Sequence, residues 1–164
     1  MLKLVRNMRE LPFRALMDVY AEGNREKAVD EWPDLPEGLA LEMAEQDFYQ
    51  YLREGFFTTS GALYALWESD GTYTSALRLE PYRDGLLMEA LETAPEHRRK
   101  GHGEALIRAV LNRIGGTKLY SHVHKSNVPS LNIHEKCGFQ RIKEYAVYID
   151  GSVNHRCCTF CHEG

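Results

Sequence analysis

Between Pro95 and Leu106 the chain reads Pro-Glu-His-Arg-Arg-Lys-Gly-His-Gly-Glu-Ala-Leu, a basic, glycine-bearing segment between a strand-like run and a helix-like run. The first amides of a helix have no partners inside it, and they point along an axis whose positive dipole end faces the same way. Glycine lets such a backbone close on a bulky anion, so this segment could cradle a phosphate or diphosphate. Arg98, Arg99 and Lys100 add positive charge, and the cradle would run on through Gly101, His102, Gly103 and Glu104. A tight strand-to-helix turn with a solvated basic face has the same composition, and spacing alone leaves both readings open. Two other phosphate loops are excluded. Leu106 stands where a dinucleotide fingerprint needs its third glycine, and the Gly-Lys-Ser/Thr of a Walker loop is absent.

The C-terminal Cys158-Thr-Phe-Cys161-His162, with Cys157 and His155 beside it, spells C-x-x-C-H and raises a haem or zinc reading. No second ligand pair at metal spacing lies upstream, and small thiols in a terminal strand explain the same residues. No metal is expected. Net charge is −4, which argues against a nucleic-acid partner. No apolar run nears the roughly 20 residues needed to cross a membrane, and the opening Met-Leu-Lys-Leu-Val-Arg turns charged too early for a signal peptide. A cytoplasmic protein is expected.

The elements that must position the basic segment follow from periodicity. With 43% hydrophobic and 27% charged residues, the sequence suits one α/β domain over residues 1–164. Lys3 to Asn7 alternates as a strand, and Pro12 to Tyr20 reads as a helix. Trp32-Pro33 and Leu35-Pro36 make residues 21–40 loop-like, before Leu41, Ala44, Phe48, Tyr51 and Leu52 recur at helical spacing. Residues 62–67 and 73–79 form a hairpin across Asp70-Gly71, and residues 86–93 add a third strand. Leu106, Ile107, Val110, Leu111 and Ile114 then make one apolar helix stripe that ends at Gly115-Gly116. A strand at 118–123, a short helix at 129–136, and two strands separated by Asp150-Gly151 complete the order β-α-α-β-β-β-α-β-α-β-β.

Two motifs in this order resemble the GNAT acetyltransferase superfamily. Arg98-x-x-Gly101-x-Gly103 matches that family's Gln/Arg-x-x-Gly-x-Gly/Ala loop. Val123-x-x-x-Asn127-x-x-Ser130-x-x-x-His134-x-Lys136-x-Gly138-Phe139 is similar to its V-x-x-x-N-x-x-A-x-x-x-Y-x-K-x-G-F pattern. The close likeness covers residues 86–140. It implies a mixed central sheet of about seven strands flanked by helices, splayed between the fourth and fifth strands. It also implies acetyl-CoA as cosubstrate. The backbone of Leu91 and Thr93 would meet the pantetheine arm, and the amides from Arg98 to Glu104 would meet the diphosphate. Asn127 and Ser130 would join the cofactor site, and Lys136 the nucleotide end, although Asn127 also suits a helix cap and Lys136 a solvated helix face.

His134 stands where the family usually has a tyrosine acid; as an imidazolium it could protonate the leaving thiolate or hold it by charge, or it merely packs beside the sulfur and water is the acid. For the base that deprotonates the amine, His122 at the end of the fifth strand is the first candidate. Glu89 on the fourth strand is the second; simple alternation places it on the face of Leu87 and Leu91, with Glu92 opposite. Residues 22–54 carry ten acidic side chains against three basic ones, which suits a cationic acceptor or simply a solvated helix face. The reading is acetyl transfer to a primary amine in a ternary complex. A non-catalytic acyl-CoA sensor on the same fold is the alternative, and the likeness allows a homodimer through the last strands.

Overall fold

The computed structural model describes residues 1–164. Strand β1 (Leu2–Val5) is followed by helices α1 (Phe13–Val19), α2 (Ala21–Glu31) and α3 (Glu37–Glu54), then by a single 3₁₀ turn at Phe56–Thr58. Strands β2 (Leu63–Ser69), β3 (Thr72–Tyr82) and β4 (Gly85–Thr93) form an antiparallel meander. Helix α4 (His102–Ile114), strand β5 (Lys118–His124) and helix α5 (Val128–Lys136) follow. Strand β6 (Gln140–Lys143), a small hairpin of β7 (Ala146–Val147) and β8 (Val153–Asn154), and strand β9 (Cys157–His162) end the chain.

Seven strands share one sheet in the order β1-β2-β3-β4-β5-β9-β6. Only the β4–β5 pair is parallel. Leu63, Ala65, Leu77, Leu79, Met88 and Val123 of one face pack on Leu106, Ile107 and Val110 of α4. Each of those helix side chains is fully buried and contributes about 1.5–3 kcal/mol. Tyr64, Leu66 and Ala76 of the other face pack on Leu16 and Met17 of α1 and Leu52 of α3. No helix is long and apolar enough to cross a membrane.

Two stretches of residues 21–40, expected as loop, are helical, since α2 fills the first part and α3 already begins at Glu37. Residues 21–31 are helical, because the prolines bar a helix only from Trp32 onward, and Ala21–Glu31 is rich in Ala, Glu, Arg and Lys. Helix α2 buries only Asn24 and Ala28, so it carries no apolar stripe to announce it.

Two features open the sheet beside α4. The β4–β5 ladder runs from Gly85 opposite Lys118 to Met88 opposite Ser121 and stops there, although both strands continue. At that level β4 bulges. Glu89 lies opposite Arg78 and Glu92 opposite Ala76, so Ala90 and Leu91 share the place facing Leu77, and Ala90 takes φ of +50°. The Tyr20 hydroxyl donates to the Ala90 carbonyl at 2.6 Å and holds the bulge from the junction of α1 and α2.

Candidate active site

The bulge turns the upper half of β4. Leu91 packs against the α4 core, while Glu92 meets Arg98, which also pairs with Glu22 of α2. Glu89 therefore parts company with Leu91 and shares the α1–α3 side with Glu92, a correction to simple alternation, which the extra residue breaks. Beyond Met88 the edge of β4 that faces β5 has no ladder partner.

From Thr93 the chain enters a 3₁₀ turn (Pro95–His97), then the loop into α4. Arg99 and Gly101 take φ of +59° and +82°. No backbone N–H from Arg99 through Glu104 donates to another protein group; the first helical bond runs from Ala105 N to Gly101 O at 2.9 Å. These amides open on a hollow of about 640 Å³, walled by Thr93, His97 and the loop on one side and by Pro129, Asn132, Ile133 and Lys136 of α5 on the other. A Cβ on Gly101 would meet nothing within 4 Å. One on Gly103 would come within 3.3 Å of both Ile133 and Thr93, so that glycine allows the close approach of α5 and β4.

The cations divide unequally. Arg98 lines the hollow but commits its guanidinium to Glu22 and Glu92, and donates through Nε to Thr93 O at 3.2 Å. Lys136 pairs with Glu104 at 2.6 Å, and Glu104 also holds Arg108. Arg99 and Lys100 are exposed and have no carboxylate partner, though Lys100 reaches Glu96 O at 2.8 Å. His97 and His102 stand 5.8 Å apart ring to ring on the rim, and burial holds His102 below its usual pKa. Asn127 caps α5 through its side-chain oxygen, which accepts from Ser130 N at 3.2 Å.

His134 sits deep beneath the foot of the fork. It is 1% exposed, wedged between Phe139 and Phe160. Its Nδ1 lies 2.7 Å from Ser130 O and its Nε2 2.8 Å from Ser121 Oγ. A carbonyl only accepts, so Nδ1 carries the proton and Nε2 accepts from the serine. Burial holds the ring below its usual 6.5, which leaves a neutral imidazole with both nitrogens engaged. We expect His134→Leu to orphan the buried Ser121 hydroxyl and remove the ring's bond to the Ser130 carbonyl, at a cost of about 2–4 kcal/mol. Calorimetry would register a melting temperature lower by about 5–15 °C. Burial also depresses His102 and His122 from 6.5, so below that pH the unfolded chain binds protons the folded chain refuses. Stability then rises with pH across the window beneath 6.5 and is lost on acidification.

Glu89 and His122 are the residues next after the last β4–β5 pair, one on each arm of the fork. His122 lies edge-on between Tyr82 and Tyr148, at 5.6 and 5.4 Å. Burial first, and Arg83 second, lower its pKa, and its Nε2 is buried without a partner. Glu89 Oε2 is likewise buried and unpartnered. Burial and the neighbouring Glu80 carboxyl raise the Glu89 pKa to about 7. Tyr20, Arg78, Glu80, Tyr82 and Tyr148 complete this face; the sequence pointed to Tyr20 only as an inward-facing helix residue and to none of the five as part of a site. One signal was available for Arg78: a charge within Ala76-Leu77-Arg78-Leu79, an otherwise apolar strand.

Residues 20–139 match the family model for the Acetyltransferase (GNAT) family. No curated protein matches the chain. Among solved structures it is similar to the PaiA N-acetyltransferase of Thermoplasma acidophilum in complex with coenzyme A, at 14% identity and TM-score 0.63, covering 100% of this chain and 99% of that one. The ribosomal-protein-S18-alanine N-acetyltransferase of Escherichia coli aligns at 16% identity and TM-score 0.60, covering 98% and 92%. The IAA acetyltransferase of Bacillus cereus aligns at 16% identity and TM-score 0.59, covering 100% of both chains. At these identities the likeness is one of fold.

Proposed function

The chain belongs to the GNAT acetyltransferase family, and on that premise we propose that it transfers an acetyl group from acetyl-CoA to a primary amine by direct attack in a ternary complex. The observation that carries this reading is the run of unpartnered amides from Arg99 to Glu104, opening on a hollow beside two parted strands. The donor set fits a diphosphate: convergent N–H groups at a helix N-terminus, Arg99 and Lys100 for charge, and a glycine whose missing side chain keeps the wall clear. Thr93 and the free edge of β4 would hold the pantetheine arm as an added strand does.

The thioester supplies an activated acyl carbon, and the amine's attack on it releases the thiol. An alkylammonium, with a pKa near 10, must first lose a proton. Glu89 takes that role: near pH 7 a base with a pKa of about 7 is ionised in useful fraction and strong enough to accept the proton. His122, neutral at that pH, walls the other arm and offers Nε2 as an acceptor to the amine. The ranking of these two reverses the sequence expectation, because burial strengthens the carboxylate as a base and weakens the imidazole. The thiol takes its proton from water, since neither nitrogen of His134 is free.

One observation favours the sensor reading: the position of the family's usual acid is filled by that engaged imidazole. The experiment that separates the two is a screen for CoA-thiol release over polyamines, aminoglycosides, amino acids and short peptides, beside calorimetric titration of acetyl-CoA. Binding with amine-dependent thiol release is expected. Binding without release from any amine replaces the enzyme by the sensor.

A further inference from the structure

We propose that the acceptor is an amine that also bears a carboxylate, of the amino-acid class, and that Arg78 binds that carboxylate; this rests on the acetyltransferase reading above. Arg78 projects from β3 on the α1–α3 side, its guanidinium 4.9 Å from the ring of Tyr51 and 5.6 Å from that of Phe56. The helical stripe placed Tyr51 in the core, but it is 47% exposed, and its ring stacks on this arginine instead.

Arg78 makes no ion pair and donates no hydrogen bond, and its Nε is buried without a partner. Directly across the ladder on β2 lies Tyr64, whose buried hydroxyl is also unpartnered. On the other side its register partner is Glu89. One row across three strands therefore runs phenol, guanidinium, carboxyl, and ends at the fork. A mostly enclosed guanidinium without an acceptor is expensive, and a carboxylate satisfies it through two parallel N–H bonds that a lysine could not supply.

Neighbouring strands lie about 4.8 Å apart, so an anion on Arg78 and an amine at Glu89 belong to groups separated by a few bonds. Glu80 and Glu89 receive the ammonium end of such a zwitterion, and Arg78 the carboxylate end. A polycation fits less well, because the guanidinium opposes it and five of the ten carboxylates between residues 22 and 54 are already paired. Glu22 pairs with Arg98, Glu45 with Arg14, and Asp47 with Lys27.

The test compares each standard α-amino acid with its own carboxamide, by CoA-thiol release from the intact protein and by calorimetric binding to the CoA-saturated protein. At least one free acid should be preferred over its carboxamide by about 30-fold or more. Arg78→Gln should collapse that ratio through a higher KM for the acid, and Arg78→Lys should recover part of it. Acetyl-CoA titration of each variant reports whether the fold is intact. Carboxamides that bind as well as the acids, CoA-saturated protein that binds no amino acid, or an Arg78→Gln loss equal for both partners would overturn the assignment. Amino-acid binding without any thiol release would sink the transferase reading and leave the Arg78 site standing.

Discussion

Gly101→Val is expected to abolish acetyl-CoA binding while leaving the domain folded. The glycine lines the hollow with φ of +82°, and a Cβ there points into open space. Two methyl groups on that Cβ would stand where an anion must approach the loop amides. Each charge-assisted bond lost there is worth about 1.5–3 kcal/mol, so losing two raises Kd by roughly 10²–10⁴. The left-handed backbone adds a strain of about 1–2 kcal/mol for any side chain, and somewhat more for a branched one. Melting temperature should therefore fall by several degrees without loss of cooperativity. Gly101→Ala separates the two effects, since it carries most of the strain with a single methyl and should bind more tightly than the valine variant. Calorimetric titration and a melting curve on both proteins decide the matter. Wild-type affinity in Gly101→Val would show the loop to be a structural turn only.

Glu89→Gln should lower kcat by about 10²–10⁴. Its pH dependence is the sharper readout. A base works when ionised, and burial with Glu80 raises the Glu89 pKa to about 7, so wild-type kcat/KM should climb through about pH 7 and fall away on the acid side. Glutamine cannot ionise, so that limb should vanish in Glu89→Gln and persist in His122→Ala. Burial moves His122 the opposite way, below 6.5. A wild-type limb lying below 6.5 and lost in His122→Ala would hand the role of base to the histidine.

The parting of Glu89 from Leu91 arises from one residue of register. Read along the chain, Leu87, Glu89 and Leu91 alternate onto a common face. The bulge at Ala90, held by the Tyr20 hydroxyl, sends Leu91 to the α4 core and leaves Glu89 on the acceptor side. That hydroxyl comes from a residue 70 positions away, which no local pattern reports. His134 illustrates the same limit: its place in the second motif was legible, but its two hydrogen bonds depend on where Ser121 of β5 comes to rest.

What the sequence determined by itself is whatever neighbours in the chain decide. The α4 stripe, the hairpin at Asp70-Gly71, the β4-loop-α4 transition and the run of amides at its start depend on side-chain period and backbone freedom within a few residues. Tertiary structure alone decided which charges remain free and which face each carboxylate meets. Arg98 is matched by Glu22 and Glu92, while Arg78 is left unmatched between Tyr51 and Phe56. Charge pairing and desolvation depend on distances through space, and the fold sets those distances by packing segments that lie far apart in the chain.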